Sequence, residues 1–471
     1  TIAWRAPGAR DKDAEIMNMV SYMLSNGQAG LIDLNVNQKQ RTLSAYGYTY
    51  AMADYGTMEL GGRPKTGQTL DEVKDILLEQ VDLLRKGEFP EWLLEATVNN
   101  LKINQIYRLQ NISARANMFV NAFINGLDWK NEVASMDRYS SITKQDIVDY
   151  VNKNFPANGY VVVYKREGKD PNELKIDKPQ ITPIQVNRDN ASAFLQEIQN
   201  TEVPEIQPVF LDYDKDVQKF DIKQGINVLY KQNTDNALFD LSYVFDMGTR
   251  NDKALGMAFS YLRYLGTSKY TPEEIKSEFY KMACNFDVWS GTDRVYVSLS
   301  GLNENMEKAL GLLEELLNDP QVNDEAFKNL VLDTQKSRAD AKLNQSRIFG
   351  MLQNYAIWGK KSPSTNILST AELNTLKPQE LTERIKGLHG YQHYMVYYGP
   401  KAQSELTELI NKLHNTENEL KPVPAETKFE EQMTTENKVY TTHYDANQIY
   451  FGMVSKRGEK FDQSIEPIRT M

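Results

Sequence analysis

The chain has 471 residues, 41% of them apolar and 25% charged, with a formal charge of −10 and a pI near 5.2. That length supports two or three domains with real cores, and the acidic balance argues against a nucleic-acid partner, which needs a basic face. No window approaches twenty apolar residues, so no membrane span is expected.

The chain opens in a strand pattern, Ile2-Ala-Trp-Arg, followed by Arg10-Asp-Lys12. Alternation of Tyr46, Tyr48 and Tyr50 reads as a second strand with one face buried, rather than a cofactor-stacking set. Gly61-Gly-Arg-Pro-Lys65 lacks the Gly-Lys-Ser/Thr ending of a phosphate loop and reads as a structural turn. Val73, Ile76, Leu77, Val81 and Leu84 share one helical face. Gly87-Glu-Phe-Pro90 breaks that helix, and another follows through Trp92, Leu94, Val98 and Leu101. Residues 142–165 then give a helix with Thr143 as N-cap, and a strand, Gly159-Tyr-Val-Val-Val-Tyr-Lys165.

Residues 166–208 are rich in Pro and Asp and weakly periodic. Lys178-Pro-Gln-Ile-Thr-Pro183 cannot be a regular helix, because proline removes donors and restricts its neighbours. A short helix is expected near Ala191–Ile198 inside this connector.

The pattern then repeats. Leu241-Ser-Tyr-Val with Arg250-Asn-Asp-Lys253 resembles the chain's opening. Ala309, Leu312, Leu313, Leu316 and Leu317 form a second amphipathic face, Asn318-Asp-Pro320 breaks it, and Phe327, Leu330 and Val331 continue. Pro378 suits a first helical turn, and His393-Tyr-Met-Val-Tyr-Tyr-Gly399 is the closing strand. A third start is expected at Ile449-Tyr-Phe-Gly-Met-Val454 with Arg457-Gly458. The unit is strand, helix, strands, helix pair, helix, final strand. The fold class is therefore α+β: repeated two-layer units with helices packed on a mainly antiparallel sheet. Thr1–Arg5 carries no initiator Met and no signal-peptide pattern, and Met471 follows a strand start. Both ends read as those of a fragment.

Cys284 is the only cysteine, which excludes an intramolecular disulfide and a cysteine-based metal site. Its setting reads as a small core position. The four histidines are His389, His393, His414 and His443. His389-Gly-Tyr-Gln-His393 has zinc-compatible spacing on a helix, but Gly390 and the strand that follows argue for a turn, and no Glu lies between to act as base.

The order of elements resembles the pitrilysin/insulinase family of zinc metallopeptidases, the inverzincins, across nearly the whole chain. The resemblance implies four α+β repeats in two halves that close like a clamshell around a peptide. It assigns residues 1–166 to the second, non-catalytic repeat, 167–208 to the connector between halves, 209–430 to the third repeat, and 431–471 to the start of a truncated fourth.

The family's metal motif is His-x-x-Glu-His after a Gly-x-Ala lead-in, with a Glu ligand some seventy residues downstream. The lead-in here is Gly256-Met-Ala258, and the ligand positions hold Phe259, Leu262 and Arg263. The downstream Glu falls near Asp333-Thr334. The family's Arg and Tyr, seven residues apart in the fourth repeat, correspond in the second repeat here to Gln38 and Ala45.

No catalytic and no metal-binding residue is therefore expected in this chain. Zinc is expected only in a full-length parent, whose first repeat would carry the motif. In active first repeats the strand matching Asn285, Phe286, Asp287 and Val288 pairs with the substrate backbone. Those four are the candidate substrate-binding residues, set against a plain sheet-strand reading.

The expected function is the non-catalytic portion of a zinc peptidase, supplying chamber walls and peptide contacts. The alternative is a non-catalytic scaffold or partner subunit of the same family. Expected partners are a peptide substrate and the missing catalytic repeat or a partner subunit. Lys178-Pro-Gln-Ile-Thr-Pro183 and Leu302-Asn-Glu-Asn-Met306 resemble bacterial members, which implies an extracytoplasmic, periplasmic setting.

Overall fold

The computed structural model describes residues 1–169, 171–174, 177–223, 225–416, 419–433, 435–455 and 463–465. Two antiparallel-dominated sheets organise it. The first contains β1 (Ile2–Pro7), β2 (Ser44–Ala51), β3 (Tyr55–Arg63) and β4 (Val161–Val162), in the order β2-β3-β1-β4. The second contains β5 (Gln218–Lys223), β6 (Ile226–Gln232), β7 (Leu238–Phe245), β8 (Cys284–Ser290), β9 (Val295–Leu302) and β10 (Tyr394–Gly399), in the order β5-β6-β10-β7-β9-β8. Its run β10-β7-β9-β8 matches β4-β1-β3-β2 strand for strand. The repeat legible in the sequence is thus a repeat of topology. The β5–β6 hairpin is an addition, joined through a parallel β6–β10 pairing.

Helices cover one face of each sheet. In the first unit these are α1 (Ala14–Leu24), α2 (Leu70–Lys86), α3 (Trp92–Gln110), α4 (Ile112–Asn125), α5 (Trp129–Val133), α6 (Ser135–Ser141) and α7 (Lys144–Asn154). α2 starts on a Thr69/Glu72 capping box and ends at Gly87, whose φ of 70° suits a left-handed cap. Its Val73, Leu77, Val81 and Leu84 are buried, and Ile76 is partly so. Thr143 caps α7 through a second box, with Asp146. Trp4, Met17, Leu60 and Phe155 are among the residues that complete this core.

The connector carries α8 (Ala193–Asn200), where a short helix was expected. The second unit has α9 (Leu255–Leu262), α10 (Pro272–Lys281), α11 (Met306–Asn318), α12 (Asp324–Ala341), α13 (Gln345–Trp358), α14 (Thr370–Thr375), α15 (Pro378–Lys386) and α16 (Gln403–Leu413). Ala309, Leu312, Leu313, Leu316 and Leu317 of α11 are all buried under the sheet. Full burial of each leucine contributes about 1.5–3 kcal/mol. Pro378 opens α15 at its first position. Among the described residues no helix is long and apolar enough to cross a membrane.

Two expectations need correction. Gly61 and Gly62 lie inside β3, not in a turn. The Tyr46 ring lies over Gly61, where a Cβ would collide with it, so the glycine makes room for a cross-strand aromatic. The alternation in β2 does mark a strand with one face buried: small residues such as Ala45 face the core, and the tyrosines take the exposed face, Tyr50 at 61%. Ile449–Val454 forms no strand. It runs along α13, where Phe349 meets Tyr450 with ring centroids 5.5 Å apart and Gln345 Nε2 donates to the Gln448 carbonyl at 2.8 Å. Arg457-Gly458 lies outside the described residues.

Candidate functional site

The sequence places four candidate residues on β8, and β8 is an edge strand of the second sheet. Its pairing with β9 runs from Cys284↔Gly301 to Ser290↔Val295. Leu302 N–H donates to the Ala283 carbonyl at 3.4 Å, and Gly291 N–H donates to the Arg294 carbonyl at 2.8 Å. In this register both are directly opposed, hydrogen-bonded pairs. Such pairs alternate along an antiparallel ladder. Odd-numbered residues of β8 therefore bond β9, and Cys284, Phe286, Val288 and Ser290 turn their backbone groups to the free edge. Among the described residues no other backbone group bonds Phe286 or Val288 there.

Helix α9, with Arg263 at its C-terminal end, lies beside that edge. Phe259, Leu262 and Arg263 line one cavity of about 320 Å³ together with Asn285, Phe286, Asp287 and Val288. The two sets of residues singled out from sequence thus meet in one place. Phe259, Tyr261, Leu262 and Leu265 are each 2% exposed or less, which makes them packing residues. Tyr261 also ties α9 to α12: its hydroxyl donates to the Asn323 carbonyl and accepts from Asn323 N–H, both at 2.8 Å. α9 ends at Leu262, so Arg263 is already the C-cap. Its guanidinium lies 3.4 Å from Asp287, on the surface.

This donor set does not fit catalytic zinc. Phenylalanine and leucine offer no ligand atom, and the arginine remains a cation. Asp333, half-buried on α12, has its carboxyl raised by burial. It is a single carboxylate with no imidazole beside it at the ligand positions, so no step of metal chemistry can be routed through this helix.

The first unit supplies the opposite wall. Gln28 Nε2 donates to Asn285 Oδ1 at 2.5 Å, and Gln28 lines the cavity. The turn holding Gln28 is fixed by buried Asp33, whose Oδ2 accepts from the N–H groups of Asn26, Gly27 and Gly30 at 2.8, 2.9 and 3.1 Å. Burial pushes this carboxyl up, and those three bonds oppose the shift. Burial pushes the nearby Lys276 ammonium down. Gln38, expected from the resemblance at the family's Arg position, holds the α9 end: its Nε2 donates to the Arg263 carbonyl at 2.9 Å. Ala45, at the Tyr position, offers only its backbone to Asn37.

A second cavity of about 570 Å³ lies on the other side of Asn285, between α3 and the outer face of the second sheet. Asn104, Tyr107, Asp240 and Ser300 line it. That sheet face is aromatic further along, where Trp289 and Tyr296 stack with centroids 4.6 Å apart. The outer face of the first sheet carries Tyr46, Tyr48, Tyr50 and Tyr55, all exposed. Sequence reasoning found β8 but missed Gln28, whose role comes from a loop with no periodic signal.

The family comparison fits this layout. Residues 1–101 match the model described as the peptidase M16 inactive domain, and residues 227–370 match insulinase, peptidase family M16. The chain belongs to the pitrilysin/insulinase peptidase family. The inactive-domain match covers three of the four strands of the first sheet, and the insulinase match covers α9 and Arg263.

Solved structures similar to it include pitrilysin, at 12% identity and a TM-score of 0.49 over 89% of this chain and 47% of that one. The periplasmic protease PqqL from Escherichia coli is similar at 11% identity and a TM-score of 0.40, over 92% and 51%. The peptidase M16 inactive domain from Pseudomonas fluorescens is similar at 18% identity and a TM-score of 0.38, over 45% and 53%. The chain spans about half the length of these structures. No curated protein matches it.

Proposed function

We propose that this chain is a non-catalytic portion of a zinc-dependent peptidase and that it docks extended peptides on the free edge of β8. The observation that carries the reading is the set of outward backbone groups at Phe286 and Val288, beside a cavity walled by Arg263 and Gln28. An added peptide strand would take those backbone bonds and place alternate side chains into the cavity. The aromatic outer faces of both sheets would serve as chamber walls. In this reading residues 1–166 and 209–430 are two successive repeats, 167–208 joins the two halves of the parent, and 431–471 begins a further repeat. Zinc and peptide hydrolysis belong to the parent's catalytic repeat, and the setting is the bacterial periplasm.

The test is peptide binding to this chain, read by fluorescence anisotropy with a labelled extended peptide. Val288→Pro removes an edge-facing N–H without removing a bond to β9. Val288→Ala removes the side chain and keeps the amide. Binding is expected to fall at least tenfold in the proline variant relative to the alanine variant, with both folded by circular dichroism. Equal binding in the two variants would sink the reading. The match of residues 1–101 to an inactive domain supports a second reading, a scaffold or partner subunit. Chelator-sensitive peptide hydrolysis by the full-length protein favours the first reading, and its absence favours the second.

A further inference from the structure

Beneath the second sheet, far from any peptide edge, four ionisable side chains gather in the core. Glu314 comes from α11, His389 from the tight turn Gly387–Gly390, His393 from the entry to β10, and His414 from the C-cap of α16. Their exposures are 4%, 4%, 7% and 0%. Glu314 Oε1 lies 2.8 Å from His414 Nδ1 and accepts from the Tyr243 hydroxyl at 2.8 Å. His393 Nε2 lies 3.1 Å from His414 Nε2, and His393 Nδ1 lies 2.8 Å from the Tyr391 carbonyl.

Proton counting along this chain is informative. The Tyr391 carbonyl can only accept, so His393 carries its proton on Nδ1 and presents a lone pair at Nε2. His414 must then donate from Nε2. A neutral His414 therefore presents its Nδ1 lone pair to Glu314, and a single proton lies between that nitrogen and Oε1. Burial raises the Glu314 carboxyl and lowers His414 to about 3 and His393 to about 4, which favours the neutral form of each.

His389 is left outside this arrangement. Both of its ring nitrogens, and Oε2 of Glu314, lack a hydrogen-bond partner among the described residues. His389 Nδ1 lies 3.7 Å from Glu314 Oε2, too far for a hydrogen bond. A buried donor or acceptor left unmade costs about 1–3 kcal/mol, so three orphaned atoms, two of them facing each other across 3.7 Å, require an explanation.

We propose that Glu314, His389 and His414 form a buried zinc site, in which the metal takes the place of the proton shared by Glu314 and His414. One ligand atom from each of the three residues lies within 4.8 Å of the others. Bond lengths of about 2.0–2.1 Å in a tetrahedral site place ligand atoms roughly 3.3 Å apart, so small side-chain rotations close the set. Two imidazoles and a carboxylate suit zinc and its late transition-metal neighbours. The surrounding shell is already oriented. His414 donates its other N–H to His393, which donates to a backbone carbonyl, and Tyr243 donates to the carboxylate. This is how protein matrices fix the lone pair of a ligating histidine and hold a ligating carboxylate. Binding releases one proton to solvent. The burial of all three ligands makes this a structural clamp joining α11, the turn before β10 and the end of α16. It is distinct from the degenerate helix at Phe259–Arg263. His389 and His393 lie on the turn read from the sequence and do not act as a ligand pair: only His389 is a ligand, and His393 supports His414 from behind.

The test uses this chain stripped with a strong chelator, dialysed, and titrated with Zn²⁺ alone against a chromophoric competitor, with Tm followed in parallel. Wild type is expected to take up one equivalent and to gain several degrees in Tm. His389→Leu replaces two orphaned nitrogens with apolar atoms, so the metal-free variant should melt at or above the metal-free wild type while its zinc affinity falls at least 100-fold. His393→Phe should weaken binding roughly 10–100-fold, and His443→Ala, at an exposed position, should leave it unchanged. Absence of stoichiometric zinc uptake by wild type overturns the proposal, as does undiminished uptake by His389→Leu.

Discussion

Gly301→Ala gives a demanding check on the geometry of the docking edge. Gly301 sits in β9 opposite Cys284 with φ of 145°, in the region that side chains rarely adopt. A Cβ there would lie 2.5 Å from the Ala283 carbonyl oxygen and 2.7 Å from both Cα and Sγ of Cys284. The carbonyl oxygen and Cα are backbone atoms and cannot swing aside, and Sγ belongs to a buried side chain. The backbone conformation costs about 1–3 kcal/mol for a non-glycine residue, and overpacking adds about 1–3 kcal/mol. The expected loss is about 2–5 kcal/mol, relieved in part by pushing β8 away from β9 at Cys284. Gly311→Ala is the matched control. Gly311 lies within α11 with nothing within 4 Å of its added Cβ, so the same chemical change should stabilise by about 0.5–1 kcal/mol. Urea denaturation of the two variants should show midpoints moving in opposite directions, and peptide binding should fall only in Gly301→Ala. A Gly301→Ala midpoint within error of wild type would refute the tight β8–β9 approach on which the edge geometry rests.

The Cys284 thiol, pushed up to about 12 by burial, should resist iodoacetamide at pH 8 in the native chain and react fully in urea, as read by mass spectrometry; rapid native labelling would contradict its core position. Tyr280→Ala should cost about 3–5 kcal/mol, because this α10 residue packs into the core of the first unit, where its hydroxyl pairs with Thr97 Oγ1 at 3.2 Å and its carbonyl accepts from Asn100 at 2.9 Å. In calorimetry the loss should fall on the transition of the first unit, and a loss below about 1 kcal/mol would show that the two units do not share that core.

The repeat, the helix faces of α2 and α11, the caps at Thr143 and Pro378 and the strand at Asn285–Val288 were legible because each is a local periodic signal. The tyrosines of β2 show where that signal stops. Alternation fixes which residues share a face, but the buried face is chosen by what packs against it, and here helices cover Ala45 rather than the rings. Gly61-Gly62 read as a turn because glycine pairs usually mark one. The cause, a tyrosine ring lying across β3, is a partner 15 residues earlier whose position no local rule supplies. The Glu314–His414 contact joins residues 100 apart on different elements, so only the folded chain brings it into view.

In the proposed reading, apolar side chains fill the space that a metal helix would line. A catalytic zinc site needs an open coordination position and a route for water. Phe259 and Leu262 instead close that space with apolar volume, and Tyr261 bolts the short helix to the start of α12. Such packing makes the unit rigid without touching the adjoining edge strand, because the outward groups of Phe286 and Val288 belong to β8 and not to the helix. In the proposed reading the docking edge therefore needs no ligand side chain, only its own backbone groups, provided that β8 stays in register with β9. That proviso is why a single methyl group at Gly301 is expected to matter more for peptide binding than any substitution at Phe259 that preserves its volume.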